Sequence, residues 1–257
     1  MENMISGKKI AVVIPSHNAG KTLAKTIQAI PSDTVDEIIV VNDGSDDNTE
    51  DIAKKFGATI VSHQPNRGYG AAQKSGFIKA LKHGADIVVL LHADFQYDPT
   101  RLPALAEPLA LGKADVCFGS RMHSKKSALA GGMPWWRFGA NIALTFVEDS
   151  VLCLGLTEYH TGYRAYSREL LLRVPFEKNS DNYVFDTEMF AEIRLGHFHV
   201  AEIPIPTRYL KESQSPNLRQ CLVYGFTTLG VLIKYLLQIS HLKKYRQFEI
   251  KKTAEQS

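Results

Sequence analysis

The chain is poor in cysteine, with three in 257 residues (Cys117, Cys153 and Cys221), an odd number set far apart. No pair has the spacing of a zinc site or of a disulfide framework, and this usage fits a reducing, cytoplasmic compartment. Charge of one sign is also lacking: a net charge of +3 does not by itself point to nucleic acid. Met1 to Lys9 is polar, so no signal peptide is expected ahead of the first apolar run. Glycine is scarce where a phosphate-cradling loop would need it. After that first run only Gly20 and Lys21 are present, which argues against a nucleotidyltransferase. The longest apolar stretch, Leu218 to Ile239, is interrupted by Thr227, Thr228, Lys234 and Gln238, which disfavours a bilayer-spanning helix.

What is present is a repeated strand-loop-helix pattern. Lys9 to Ile14 reads as a buried strand stopped by Pro15, and after the loop Ser16 to Gly20 a helix is expected over Thr22 to Ile30. Glu37 to Val41 is a second strand, breaking at Asn42, Asp43, Gly44 and Ser45, with a helix opening in the acid-rich Asp46 to Asp51. Ala58 to Ser62 is a third, followed by the loop Gln64 to Gly70 and a helix to about His83. Ile87 to Leu91 is a fourth, apolar throughout, as in a strand covered on both faces. Four such units with short connections specify a doubly wound α/β sheet, mostly parallel, with helices on both faces.

Ligands of such sheets bind outside the carboxyl ends of the strands. There the fourth strand gives way to His92, Ala93, Asp94, Phe95, Gln96, Tyr97, Asp98 and Pro99. Alternation sends His92, Asp94 and Gln96 to one side, where they suit a hard divalent cation completed by water or a diphosphate. The competing reading makes Asp94 and Asp98 caps of a turn and of a helix starting near Thr100. Asp43 is placed to accept hydrogen bonds from a ribose or a base, or else serves as a turn residue. Gly68 and Gly70 begin a G-x-G-x-x-G fingerprint, but its third position is Gln73, which argues against a dinucleotide cofactor.

Further on, Ala114 to Phe118 is a fifth strand ending in Gly119, Ser120 and Arg121. Arg121 is expected near donor phosphates or acceptor, with a surface salt bridge as the alternative. His123 to Gly132 reads as a mobile loop able to close over substrates. Trp135, Trp136 and Arg137 lead into a helix to about Val147 and suit a membrane headgroup zone, a lipid-bound acceptor or ordinary core. Asp186 and Glu188 open a helix running to about Leu195. Asp186, then Glu188, are the candidate general bases, and Asp186 as a helix cap is the alternative. Arg208, after the strand-like Val200 to Ile205, suits a bidentate diphosphate clamp. From Thr207 to Lys252 nine Lys and Arg face two Glu, so a basic amphipathic tail follows an acidic body.

The ordered set VVIPSHNAGKTL, EIIVVNDGSDDNT, NRGYGAAQKSGF, LLHADFQYDP, DVCFGSR, TGYRAYSREL, FDTEM and EIPIPTRY resembles family 2 glycosyltransferases of the GT-A fold, near the dolichyl-phosphate mannose synthase branch. The resemblance implies transfer of a sugar from a nucleotide-sugar, with a divalent metal (Mg²⁺ or Mn²⁺) bridging the diphosphate. It implies that Pro15, His17 and Asp43 hold base and ribose, with Gly44, Asn66 and Gly70 on the same nucleotide side. Asp94 and Gln96 match its metal- and diphosphate-binding motif. His92, however, stands where these enzymes usually carry the first Asp of D-x-D. That lowers the site's negative charge and shifts preference toward metals that accept imidazole.

The expectation is therefore a GT-A domain over residues 1–210, with a nucleotide-sugar half (about 8–121) and an acceptor half (about 122–210), then a helical basic tail over 211–257. It would act as a metal-dependent inverting transferase of a hexose or N-acetylhexosamine from a UDP- or GDP-sugar. The expected acceptor is lipid-linked, a polyprenyl phosphate or glycolipid, met peripherally at the cytoplasmic membrane face. A nucleotidyltransferase and a non-catalytic nucleotide-sugar-binding protein are the alternatives.

Overall fold

The computed structural model describes residues 5, 7–123, 131–206 and 218–251. Its strands are β1 (Ile10–Ser16), β2 (Glu37–Asp43), β3 (Thr59–His63), β4 (Ile87–Leu90), β5 (Val116–Ser120), β6 (Arg164–Ser167) and β7 (Val200–Pro204). The helices are α1 (Leu23–Gln28), α2 (Thr49–Lys55), α3 (Tyr69–Lys82), α4 (Leu102–Ala110), α5 (Trp135–Leu152), α6 (Arg168–Arg173), α7 (Phe185–Leu195) and α8 (Leu218–Ile239). The four expected units are all present, as a seven-stranded sheet in the order β3-β2-β1-β4-β6-β5-β7. Every pairing is parallel except those of β6, which runs antiparallel to both β4 and β5.

Alternation along the central strands divides the core in two. Ala11, Val13, Ile39, Val41, Val88 and Leu90 face a cluster built with Phe77 of α3, Phe190 of α7 and Leu232 of α8. Ile10, Val12, Ile14, Val40, Ile87 and Val89 face the opposite cluster, with Leu23 and Ile27 of α1 and Leu102 and Leu105 of α4. Strands covered on both faces must be apolar at every position, which is why VVL and IAVVI carry no alternation.

Some boundaries differ from the sequence reading. The helix expected to open within Asp46 to Asp51 starts at Thr49 and carries Glu50 and Asp51 in its first turn. Asp47, just before it, turns back to accept from the backbone N–H groups of Gly20 (2.8 Å) and Thr49 (3.0 Å) and so fastens the β1–α1 loop. β1 and β2 extend to Ser16 and Asp43, past the proline, because Pro15 and Ser16 still pair with Val41 and Asn42. The helix expected from Arg137 begins at Trp135 and runs to Leu152, where Cys153 takes the left-handed conformation (φ 51°) and closes it.

Candidate active site

A cavity of about 290 Å³ lies beyond the carboxyl end of β4. Its floor is His92, Asp94, Gln96 and Tyr97, and its walls come from α3 (Tyr69), α5 (Trp136, Arg137, Leu144), α7 (Asp186) and α8 (Cys221, Tyr224). The polar run that ends the strand forms the floor because the chain turns at once. The Asp94 carboxylate accepts from the Gln96 backbone N–H at 3.0 Å, and Phe95 sits at φ 58°. Asp98 accepts from the Thr100 N–H and caps the single 3-10 turn beginning at Pro99. Both readings of this segment therefore apply, to different residues: Asp98 is the cap, and Asp94 makes a turn while lining the cavity.

His92 is clamped. Its Nε2 lies 2.8 Å from the Tyr69 hydroxyl, its ring meets Tyr97 edge-on with centroids 5.2 Å apart, and Gly162 leaves the space the ring occupies. A Cβ at Gly162 would fall 2.2 Å from Nε2. Burial holds the imidazole below its usual range, and burial, with Asp186 nearby, holds the Tyr69 hydroxyl well above its own. Nε2 is therefore engaged by Tyr69, whichever tautomer is present, and a metal bond from His92 would have to come from Nδ1 or displace that contact.

Asp94 and Gln96 remain as oxygen donors facing the cavity. Among the described residues no group of three or more His, Cys, Asp or Glu forms a ready-made cage. Two hard oxygens without a cage fit an Mg²⁺- or Mn²⁺-type ion that shares its remaining positions with a diphosphate and water.

Asp186 reaches the cavity from the first turn of α7 but caps nothing; the helix has no side-chain cap. Its carboxylate accepts from Gln73 Nε2 (3.0 Å) and Tyr69 OH (3.5 Å) and pairs with Arg164 Nη2 (3.1 Å). Arg164, on β6, is fully buried between the rings of Phe118 and Phe190. Burial opposes its charge, yet Asp186 together with Tyr166 and Tyr69 raises its pKa. Glu188, the second candidate base, faces elsewhere: it accepts from Ser180 N–H (2.6 Å) and Gln247 Nε2 (3.1 Å) and does not line the cavity. Two residues on a helix are about 200° apart, so the carboxylates of Asp186 and Glu188 point to opposite sides.

Arg121 does line the cavity, and neither surface bridge nor unengaged phosphate clamp describes it. Its Nε and Nη2 both contact the fully buried Glu158, whose carboxylate also accepts from Asn141. Burial alone would raise the pKa of Glu158, but Arg121 outweighs it and lowers it.

The expected nucleotide-side residues gather at a neighbouring corner, where β1 and β2 end. The Asp43 carbonyl accepts from Asn66 Nδ2 at 2.9 Å and lies 2.9 Å from His17 Nδ1, beside Pro15. The Asp43 carboxylate is buried and satisfied within the protein, by His63 (2.6 Å) and the N–H groups of Arg67 and Gly68 (2.9 Å each). It holds the 66–68 loop, so its carboxylate serves the turn, the alternative reading of this residue. Gly44 is required by geometry: φ is +67°, and a Cβ would meet Asn66 N at 2.5 Å. Gly70 is required by packing. A Cβ there would lie 2.3 Å from the Ser180 carbonyl, and Gly70 N–H and Ala71 N–H both donate to Asp181 O. The first backbone N–H groups of α3 are therefore engaged by the chain itself. Arg208 and residues 124–130 of the expected mobile loop lie outside the described residues.

Tyr69, Gln73 and Arg164 lie within the motifs NRGYGAAQKSGF and TGYRAYSREL but have no role assigned there, and Glu158, His160 and Tyr224 carry no mark in the sequence, since each depends on a partner distant in the chain.

The chain matches the model of "Glycosyl transferase family 2" over residues 11–174. It is similar to an undecaprenyl-phosphate mannosyltransferase of Micrococcus luteus, 32% identical over 77% of this chain and 82% of that protein. It is also similar to a UDP-N-acetylglucosamine–dolichyl-phosphate N-acetylglucosaminyltransferase of Methanococcus voltae, 26% identical over 82% of this chain and 90% of that one. Among solved structures, glucosyl-3-phosphoglycerate synthase of Mycobacterium tuberculosis, in complex with Mn²⁺, UDP and glucosyl-3-phosphoglycerate, superposes with a TM-score of 0.69. That match has 22% identity and covers 90% of this chain and 80% of that one. The sheet is of the GT-A type that the sequence motifs imply.

Proposed function

The chain belongs to glycosyl transferase family 2, and on that premise we propose that it moves a hexose or N-acetylhexosamine from a UDP- or GDP-sugar to a polyprenyl phosphate. One observation carries the reading. The cavity joins a polar floor at Asp94 and Gln96 to walls of Trp136, Ala140, Leu144 and Tyr224, and those walls belong to two helices with apolar outer faces. Trp135, Ile142 and Phe146 of α5 are exposed, as are Leu222, Phe226, Ile233 and Leu236 of α8. Apolar surface of that extent on paired helices suits a lipid interface, and the cavity between them suits a head group still attached to its lipid.

Cys221–Ile239 is long and apolar enough to cross a bilayer. The burial of Val231, Leu232 and Tyr235 against the body supports peripheral contact instead, with Lys243 and Lys244 beyond the helix able to meet lipid phosphates. The relatives named for transfer to dolichyl or undecaprenyl phosphate support the same acceptor class.

Asp94 and Gln96 would hold the divalent cation, whose chemistry is to offset charge on the departing diphosphate. Asp186, braced by Arg164, Gln73 and Tyr69, faces the acceptor side and would take the proton of a hydroxyl acceptor in an inverting attack. A phosphate acceptor is already ionised, and there Asp186 orients Arg164 and Tyr69. The test offers UDP- and GDP-sugars with polyprenyl phosphate in vesicles and measures sugar entering the lipid phase. Transfer should need Mg²⁺ or Mn²⁺ and should be lost in Asp94→Ala. Full transfer by that variant, or in chelator, would overturn the assignment.

A further inference from the structure

Beneath the acceptor end of the cavity lies a buried polar cluster that the reading above leaves unused. Glu148 of α5 is fully buried, and its Oε2 is 3.3 Å from Nε2 of His160, a residue that lines the cavity. Neither atom has a hydrogen bond to any other group. Glu148 Oε1 lies 3.5 Å from Thr187 Oγ1 of α7, which neighbours Thr228 Oγ1 (3.3 Å) and the Tyr224 hydroxyl (3.5 Å) of α8. His160 Nδ1 is 3.4 Å from the same Tyr224 hydroxyl.

A carboxylate buried without a donor for one oxygen is costly, and its presence beneath a cavity histidine calls for an explanation. The cavity must also balance an anion, while Arg121 is already paired with Glu158 and Arg164 with Asp186. We propose that Glu148 and His160 share one proton, which rests on Glu148 in the free protein and passes to His160 when the anionic end of the acceptor enters.

In that step the Oε2–H bond of Glu148 breaks and an Nε2–H bond forms on His160. The result is a carboxylate beneath and an imidazolium, carrying its Nδ1–H, beside the phosphate. No proton comes from solvent. Burial sets the resting state: it pushes the Glu148 carboxyl up to about 8 and the His160 imidazole down to about 4. The ionisable groups around the pair are Arg121 and Glu158, Arg164 of β6, Asp186 of α7, and Tyr224 and Cys221 of α8. Arg121 and Arg164 both disfavour a charged His160 until an anion arrives. The inference deepens the acceptor reading and rests on it.

The test follows the ¹⁵N signals of the His160 ring near neutral pH, identified by their loss in His160→Asn, with geranyl phosphate, with geraniol and with neither. The ring should become cationic with geranyl phosphate alone. Glu148→Gln, which keeps size and hydrogen bonding, should leave the ring neutral in all three and weaken geranyl phosphate binding by about ten- to hundredfold. In transfer assays His160→Asn should raise the acceptor KM and leave the donor KM unchanged. Geranyl phosphate bound against a neutral ring, or bound equally well by Glu148→Gln, overturns the proton-sharing pair alone. Failure of geranyl phosphate to bind the wild-type protein overturns the acceptor reading, and this inference with it.

Discussion

The pairing of Arg164 with Asp186 is the most consequential contact in the cavity, and Arg164→Met tests it. Methionine retains much of the apolar stem between Phe118 and Phe190 but removes the guanidinium. Three acceptors then lose a donor: Asp186 Oδ2 (3.1 Å), the Thr161 carbonyl (2.7 Å) and the Tyr159 carbonyl (3.3 Å). Breaking a buried pair from one side costs about 3–5 kcal/mol, because the remaining charge keeps its desolvation penalty. For a chain of this size that corresponds to a fall in melting temperature of about 6–20 °C. Urea titration measures it, with the m-value expected to stay constant. Asp186→Asn on the Arg164→Met background removes the stranded charge and should recover about 1–3 kcal/mol of the sum of the single losses. If the two losses simply add, Arg164 does not act through Asp186 and the bracing of the base is refuted.

Three further outcomes are expected. Gly162→Ala places a methyl 2.2 Å from His92 Nε2, so the ring must leave Tyr69; stability should fall by about 1–3 kcal/mol, and an unchanged melting temperature would show that His92 is not clamped. Glu192 is fully buried, and burial holds its carboxyl well above the usual range. The native protein therefore keeps a proton that the unfolded chain releases above about pH 4.3, and stability falls as pH rises past that point. Glu192→Gln should accordingly gain stability over wild type steadily from about pH 5 to pH 8, and a constant difference in melting temperature would contradict this. Cys117 is buried in β5, where desolvation pushes its thiol up to about 12, while Cys153 is exposed. A thiol reagent should modify Cys153 in the native protein and reach Cys117 only after unfolding; equal rates would contradict the burial.

Much of the fold was legible because its signals are local. Runs such as IAVVI and IVVL are apolar at every position, which distinguishes doubly covered strands, and the intervening loops end them with proline, glycine and acids. α8 was readable to its ends, since its apolar content and its interruptions are properties of a single segment. The antiparallel β6 was different: a four-residue strand carries no mark of direction, and its place between β4 and β5 comes from pairing.

The sequence by itself determined the sheet type, the position of the Asp94 floor at a strand's carboxyl end and the apolar character of α8. Each follows from residues adjacent in the chain. Only the tertiary structure decided which polar residues face the cavity. It turned Asp43 and Gly70 to holding loops, directed Glu188 away from Asp186, tied His92 to Tyr69 and brought Arg164, Glu148 and His160 together beside the cavity. Hydrogen bonds and ion pairs are formed between whichever groups the fold brings within about 3 Å, and that proximity is not written in any one segment.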